Sequence, residues 1–243
     1  PGVTKVKPED QVILTWIKAE GHDVQGGKAI HKNKVINSGP VTTFSEVTVV
    51  SENRVVPLPE GVPLDIGVLF GCALPTGLGM ILNELKPEPE SSSMVIGLGG
   101  VGLCALMGAI AAKCNPVIAV DLSEAKRELA LELGATHALD PMGQDISGTV
   151  SQLTKGGVDF CIDAAGKCQT IQTAFACIRR GGGRCIFASH PEQGQQLKLD
   201  PYELICGKLI QGSWGGACKP DRDVPRFAEM YLAGKLRLDR LIE

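Results

Sequence analysis

The chain has 243 residues, 24 Lys+Arg against 27 Asp+Glu for a net charge of −3, and 44% hydrophobic residues. That is one large or two modest domains, long enough to bury a core without staples and too apolar for disorder. Charge runs are absent, so nucleic acid and an anionic membrane have no electrostatic support as partners. Nine cysteines, an odd number without a C-x-x-C pair, sit mostly in apolar segments. They read as buried thiols of a reducing compartment, which makes the expected location cytoplasmic, and not as a disulfide framework.

Residues 12–17, Val-Ile-Leu-Thr-Trp-Ile, read as a strand, and 18–40 as a long polar, Gly-rich loop. Residues 44–50 alternate as a half-buried strand, and 53–59 are extended because each X-Pro disfavours helix. From Ser91 the pattern changes. A strand at 94–96, a buried helix at 101–112 and a strand at 116–120 lead to a helix capped by Ser123 and stopped by Gly134. Ala125, Leu129 and Leu133 form its apolar stripe. Short apolar runs follow at 137–139, 158–162, 184–188 and 209–214, with helices expected at 146–154, 170–179, 199–205 and 223–233. Strands alternating with helices predict an α/β fold with a parallel sheet covered on both faces. Residues 95–112 carry no charge, but four glycines fall in the first eight positions. A strand, a turn and a buried helix explain them better than a membrane span.

Gly97-Leu98-Gly99-Gly100-Val101-Gly102 fits G-x-G-x-x-G between an expected strand and an expected helix. Gly97 permits the tight turn, Gly99 lets backbone approach a pyrophosphate, and Gly102 lets helix and strand pack closely. The phosphates then meet the free N–H groups at a helix N-terminus. Asp121 ends the next strand 19 residues past Gly102. An acid there accepts hydrogen bonds from both ribose hydroxyls and repels a 2′-phosphate, so NAD is expected in preference to NADP.

The glycine fingerprint, the stretch VDLSEAKRELALELGATHALDP and the stretch GGVDFCIDAAG together resemble the medium-chain dehydrogenase/reductases. Gly71-Cys72-Ala73-Leu74-Pro75-Thr76-Gly77-Leu78-Gly79 narrows the resemblance to the zinc-dependent alcohol dehydrogenases. The branch with the animal and glutathione-dependent formaldehyde enzymes, the class III or S-(hydroxymethyl)glutathione dehydrogenase-like branch, fits best. The resemblance implies a doubly wound Rossmann domain at 78–217 and part of a β-rich, GroES-like catalytic domain at 1–77, with 218–243 returning toward it. It further implies a central and C-terminal portion of a longer enzyme, inactive alone. The reaction implied is zinc-assisted hydride transfer between NAD and a primary alcohol or an aldehyde–thiol adduct.

By the same resemblance Cys72 is a ligand of one catalytic zinc in the longer parent, while the other ligands precede Pro1. A catalytic zinc takes three protein ligands and an open position. Relatives often carry four close Cys for a second, structural zinc between positions 16 and 44. This chain has none there, and His22 and His31 cannot replace four thiolates, so no structural zinc is expected. Glu9 stands where a Gly is usual. Thr76 resembles a residue beside the nicotinamide and Lys126 a ribose contact. Gly100 and Val101 belong to the phosphate turn. Gly166 and Lys167 follow the fourth strand, near the adenine, and Phe187 and Ser189 end the fifth, near the nicotinamide amide.

His190 reads as a rim residue and His137 as a core histidine. Trp16, Trp214, Tyr202 and Tyr231 read as packing residues. The edge strand at 209–214 is the expected interface of a homodimer. Two rival readings are a zinc-free NADPH reductase of quinones or enones in the same superfamily, and a non-catalytic structural or scaffold protein that still holds NAD. Asp121 argues against the first, and missing ligands would suit the second.

Overall fold

The computed structural model describes residues 2–24, 29–36 and 39–242. It divides into two compact units, Pro1–Pro75 with Cys218–Glu243, and Thr76–Ala217. In the first unit β1 (Val12–Leu14), a hairpin of β2 (Ala29–His31) and β3 (Lys34–Ile36), β4 (Val55–Pro57) and the short α1 (Leu64–Gly67) follow in order. Ile13 lies opposite Val56 in the antiparallel β1–β4 pair, and both are buried. The helix α2 (Ala73–Gly79) runs on into a π-helical turn at Met80–Leu85.

The second unit then alternates: β5 (Ser93–Ile96), α3 (Gly100–Ala111), β6 (Val117–Val120), α4 (Glu124–Leu133), β7 (His137–Leu139), α5 (Ile146–Thr154), β8 (Phe160–Asp163), α6 (Cys168–Cys177), β9 (Arg184–Phe187), α7 (Pro201–Ile205) and β10 (Leu209–Gly212). The chain returns to the first unit in α8 (Pro220–Leu232).

All six strands of the large sheet are parallel, in the order β10-β9-β8-β5-β6-β7. This is the doubly wound Rossmann order. Every residue of β5 and β6 is buried, as a strand covered on both faces requires. The helix α3 has no polar side chain, and Leu103 to Met107 are all buried. The uncharged stretch 95–112 is therefore a core strand, a turn and a core helix, as expected. Among the described residues no single helix is long and apolar enough to cross a membrane.

Several expectations change. The strand expected at 44–50 does not form, and Phe44, Val47 and Val49 are exposed. Alternation supplies two faces, but a strand exists only by pairing its backbone, and no strand among the described residues pairs with this one. The strand expected at 12–17 stops at Leu14 because its partner β4 is three residues long. Of the segment expected to be extended at 53–59, residues 53 and 54 belong to a 3₁₀ turn, Glu52–Arg54, before β4 begins. The loop expected at 18–40 contains the β2–β3 hairpin, turned by Lys32 and Asn33, both left-handed; residues 25–28 and 37–38 lie outside the described residues.

Ser123 occupies the N-cap of α4 without a side-chain capping bond, and Ala125 is exposed, so Ala130 and Leu133 carry the buried stripe. His137 is half-buried, since β7 is an edge strand. Trp214 (81% exposed) and Tyr202 (59%) are surface residues, not packing residues. Glu9 adopts φ +75°, the left-handed conformation that favours the usual Gly.

Candidate functional site

The sheet reverses its winding between β5 and β8, whose connections lead to opposite edges. A crevice above the carboxyl ends of such strands is where this architecture receives ligands. The turn 97–99 rises from β5 there. Gly97 has φ +86°, and a Cβ on it would stand 2.7 Å from the Ala165 nitrogen. A Cβ on Gly102 would stand 1.8 Å from the Gly97 oxygen. Both glycines are thus required by the protein's own packing. A Cβ on Gly99 would meet nothing within 4 Å, so packing within the protein does not require this glycine. The first helical bond of α3 runs from Leu103 N–H to Gly99 O at 2.9 Å. The amides of Gly100, Val101 and Gly102 precede it and form the donor end of the helix.

Asp121 stands at the end of β6. Its Oδ2 accepts the Leu98 amide at 2.6 Å and its Oδ1 accepts the Ser123 amide at 2.8 Å. Each oxygen keeps acceptor capacity for a further donor. Arg127, which sequence reasoning missed, donates through Nη1 to the carbonyls of Asp121 (2.8 Å) and Leu122 (2.9 Å). Its Nη2 lies 3.2 Å from Asp140 Oδ2. The signal was available: an Arg one helical turn into α4 can reach back over the β6 end. Lys126 beside it is exposed.

A cavity of about 370 Å³ opens beside this turn, with Ile96, Gly97, Asp121, Asp145, Lys167 and Thr170 among its lining. Gly97, Asp121 and Lys167 were expected at a nucleotide site; Asp145 and Thr170 were not. Asp145 caps α5 by accepting the Gly148 amide at 3.0 Å. Thr170 Oγ1 accepts the Lys167 amide and donates to the Lys167 carbonyl at 2.9 Å, fixing the start of α6. Gly166 has φ +74°, and its amide donates to Asp163 Oδ1 at 3.0 Å. Ser189, just past β9, donates to the Ala164 carbonyl at 3.1 Å, and Phe187 ends β9. His190 is exposed, its Nδ1 3.2 Å from the Pro191 carbonyl. Thr76 is buried, and its hydroxyl has no partner among the described residues.

Burial pushes the thiols of Cys177 and Cys185 up to about 12 and raises Cys161 as well, so these three are packing groups and not nucleophiles. Cys72 differs: it is the one exposed cysteine of the nine. It follows a 3₁₀ turn at Val68–Gly71 and borders an apolar hollow of about 530 Å³ with Val12, Leu14, Trp16 and Val68. Gly71 presses on β1, where a Cβ would stand 2.4 Å from the Leu14 oxygen. Among the described residues no three His, Cys, Asp or Glu side chains come together to hold a metal. A zinc centre therefore does not fit these residues by themselves. The open side of Gly99, the donor end of α3 and the spare acceptors of Asp121 are groups that a dinucleotide can use.

Six parallel strands wound both ways from a glycine turn define a Rossmann-fold protein. A family model described as a zinc-binding dehydrogenase matches residues 100–232, more than half of the chain. The chain belongs to that family, within the medium-chain dehydrogenase/reductases. It is 37% identical over 176 residues to alcohol dehydrogenase class-2 isozyme 2 of Oryctolagus cuniculus, covering 72% of this chain and 46% of that protein. The chain spans about half the length of the curated relatives it matches. Benzyl alcohol dehydrogenase from Acinetobacter calcoaceticus superposes with a TM-score of 0.83 at 26% identity, covering 99% of this chain and 72% of that one. A putative zinc-binding dehydrogenase from Sinorhizobium meliloti 1021, bound to NADP, gives 0.68 at 25% identity over 79% of this chain and 55% of that one.

Proposed function

We propose that the second unit binds NAD(H) and serves a dehydrogenase that moves a hydride between NAD and a primary alcohol or an aldehyde–thiol adduct. The observation that carries this reading is the pairing of Gly99, whose missing Cβ leaves open space, with Asp121, latched beside the same turn. NAD, when bound, supplies the hydride acceptor. The amides of Gly100, Val101 and Gly102 hold the pyrophosphate at the positive end of α3. Asp121 accepts from the ribose hydroxyls and disfavours a 2′-phosphate by like-charge repulsion. Lys126 is assigned to the ribose, Gly166 and Lys167 to the adenine side, and Thr76, Phe187 and Ser189 to the nicotinamide side.

On this reading the first unit is the partial GroES-like catalytic domain, with 218–243 as its return segment. Cys72 is assigned as one of three protein ligands to a single catalytic zinc in a longer parent, with the other two supplied from outside these residues and no second, structural zinc. Nine free thiols suit a reducing compartment such as the cytoplasm. The edge strand β10 is assigned to a homodimer.

Calorimetric titration with NADH and NADPH tests the reading. NADH binding at least about 10-fold tighter is expected from one half-buried like-charge pair. Tighter NADPH binding would turn the assignment toward the zinc-free reductase. Absence of binding to either would remove the dinucleotide role.

A further inference from the structure

The last residue of β8, Asp163, is fully buried, which is unusual for a carboxylate. Its register partners are Ile96 at the end of β5 and Phe187 at the end of β9, so it sits where the sheet reverses. Its Oδ1 accepts the Gly166 amide at 3.0 Å, and its Oδ2 has no partner among the described residues. The turn it holds, 163–167, carries Ala165 and Lys167 into the lining of the cavity. That turn is seated tightly. The Ala164 amide bonds the Ile96 carbonyl at 2.8 Å, and Gly97 has no room for a Cβ against Ala165.

The titratable groups that act on Asp163 or feel it are thiols: Cys161 on its own strand and Cys185 on β9. The Thr170 hydroxyl and the amides of Gly166 and Ala165 favour its charged form, but burial outweighs them and pushes its pKa up. No cation is among the groups that act on it.

We propose that Asp163 is a positioning residue for cofactor binding: its buried carboxyl holds the 163–167 turn as a wall of the nucleotide cavity. The proposal rests on the dinucleotide reading above. With a proton on Oδ2 the group carries no charge and needs no counter-ion. Once ionised it is a buried charge without a counter-ion, and moving the turn toward water relieves it. That motion carries Ala165 off the Gly97 turn and Lys167 away from the cavity. Cofactor affinity therefore falls as pH rises.

The test is NADH fluorescence titration of the whole chain, of Asp163→Asn and of Asp163→Ala, from about pH 5 to about pH 9. The Asn side chain keeps an acceptor for the Gly166 amide and cannot ionise. The parent is expected to lose affinity toward high pH. The Asn variant should match the parent at low pH within about two-fold and stay flat, while Ala binds about 10-fold more weakly throughout. A parent-like pH profile in the Asn variant, or an Asn variant as weak as Ala, overturns the proposal. If no form binds NADH, the dinucleotide reading fails, and urea unfolding reads the carboxyl separately. A raised native pKa makes the parent lose stability as pH climbs from the unfolded value toward the native one. The Asn variant should then gain on the parent with rising pH, and parallel curves would sink the buried-acid assignment.

Discussion

Asp121 Oδ2 accepts the amide of Leu98 at 2.6 Å, across 23 positions of sequence. The acid at the end of β6 is therefore a latch on the glycine turn that follows β5. Leu98 is fully buried, so its amide has no water to turn to when the carboxylate is removed. Asp121→Ala should weaken NADH binding about 10- to 100-fold, the worth of one or two charge-assisted bonds. It should also narrow the gap between NADH and NADPH. Calorimetry with both nucleotides checks this, and an unchanged preference for NADH would show that Asp121 does not read the ribose.

The second and third glycines of the motif separate cleanly by substitution. Gly102→Ala drives a methyl into the Gly97 carbonyl and should cost about 1–3 kcal/mol of stability. Gly99→Ala meets no protein atom and should change stability by less than about 1 kcal/mol, the scale of an N-cap substitution. Yet Gly99→Ala should abolish measurable NADH binding while the fold persists. Thermal unfolding beside nucleotide titration distinguishes the two. A Gly99→Ala chain that binds normally would place the pyrophosphate elsewhere.

Acid should act on the first unit through Glu52. Its Oε1 accepts the amides of Thr4 (2.7 Å) and Lys5 (2.9 Å), and its Oε2 that of His22 (2.9 Å). Backbone donation by His22, Thr4 and Lys5 holds its pKa down to about 2 against an ordinary 4.5. A lowered native pKa means that the stabilisation is complete above the unfolded value and fades as pH falls through the native one. Urea midpoints should therefore fall between about pH 5 and about pH 2, and Glu52→Gln should be less stable at neutral pH with a shallower acid slope. Parallel acid profiles for parent and variant would assign the acid loss to another group.

Assembly can be tested at the free edge of β10. The amides of Leu209 and Ser213 bond to the carbonyls of Gly183, just before β9, and Phe187, at its end, so by alternation that of Gln211 also points inward and those of Ile210 and Gly212 point out. Gly212→Pro removes an outward donor, and its new Cβ would meet only the Phe187 ring, at 3.6 Å. Exposed Ile205, Leu209 and Trp214 flank that edge. Light scattering should show a dimer for the parent and a monomer for Gly212→Pro. A variant as dimeric as the parent would put the interface on another surface.

The β-α alternation after Ser91 was legible because buried parallel strands read as short apolar runs and the helices between them carry their own stops. Gly134 ends α4 at φ +116°, and the glycine turn lies where its spacing puts it. Residues 44–50 were misread for the opposite reason. Their alternation is real, but a half-buried strand is defined by a neighbour, and the local sequence does not encode one. The β2–β3 hairpin escaped notice because two three-residue strands carry too little pattern to register.

By itself the sequence determined the Rossmann unit, its glycine turn and the acid that follows it, since each depends on spacing along one continuous stretch. Tertiary structure decided which of those groups meet. Only folding could show that Asp121 clasps Leu98, that Arg127 reaches back over the end of β6, and that Asp163 is sealed beneath a cavity wall. It likewise left Cys72 exposed while six other thiols are buried. Distance and burial are properties of the packed sheet, summed over strands far apart in the chain, and no local pattern carries that sum.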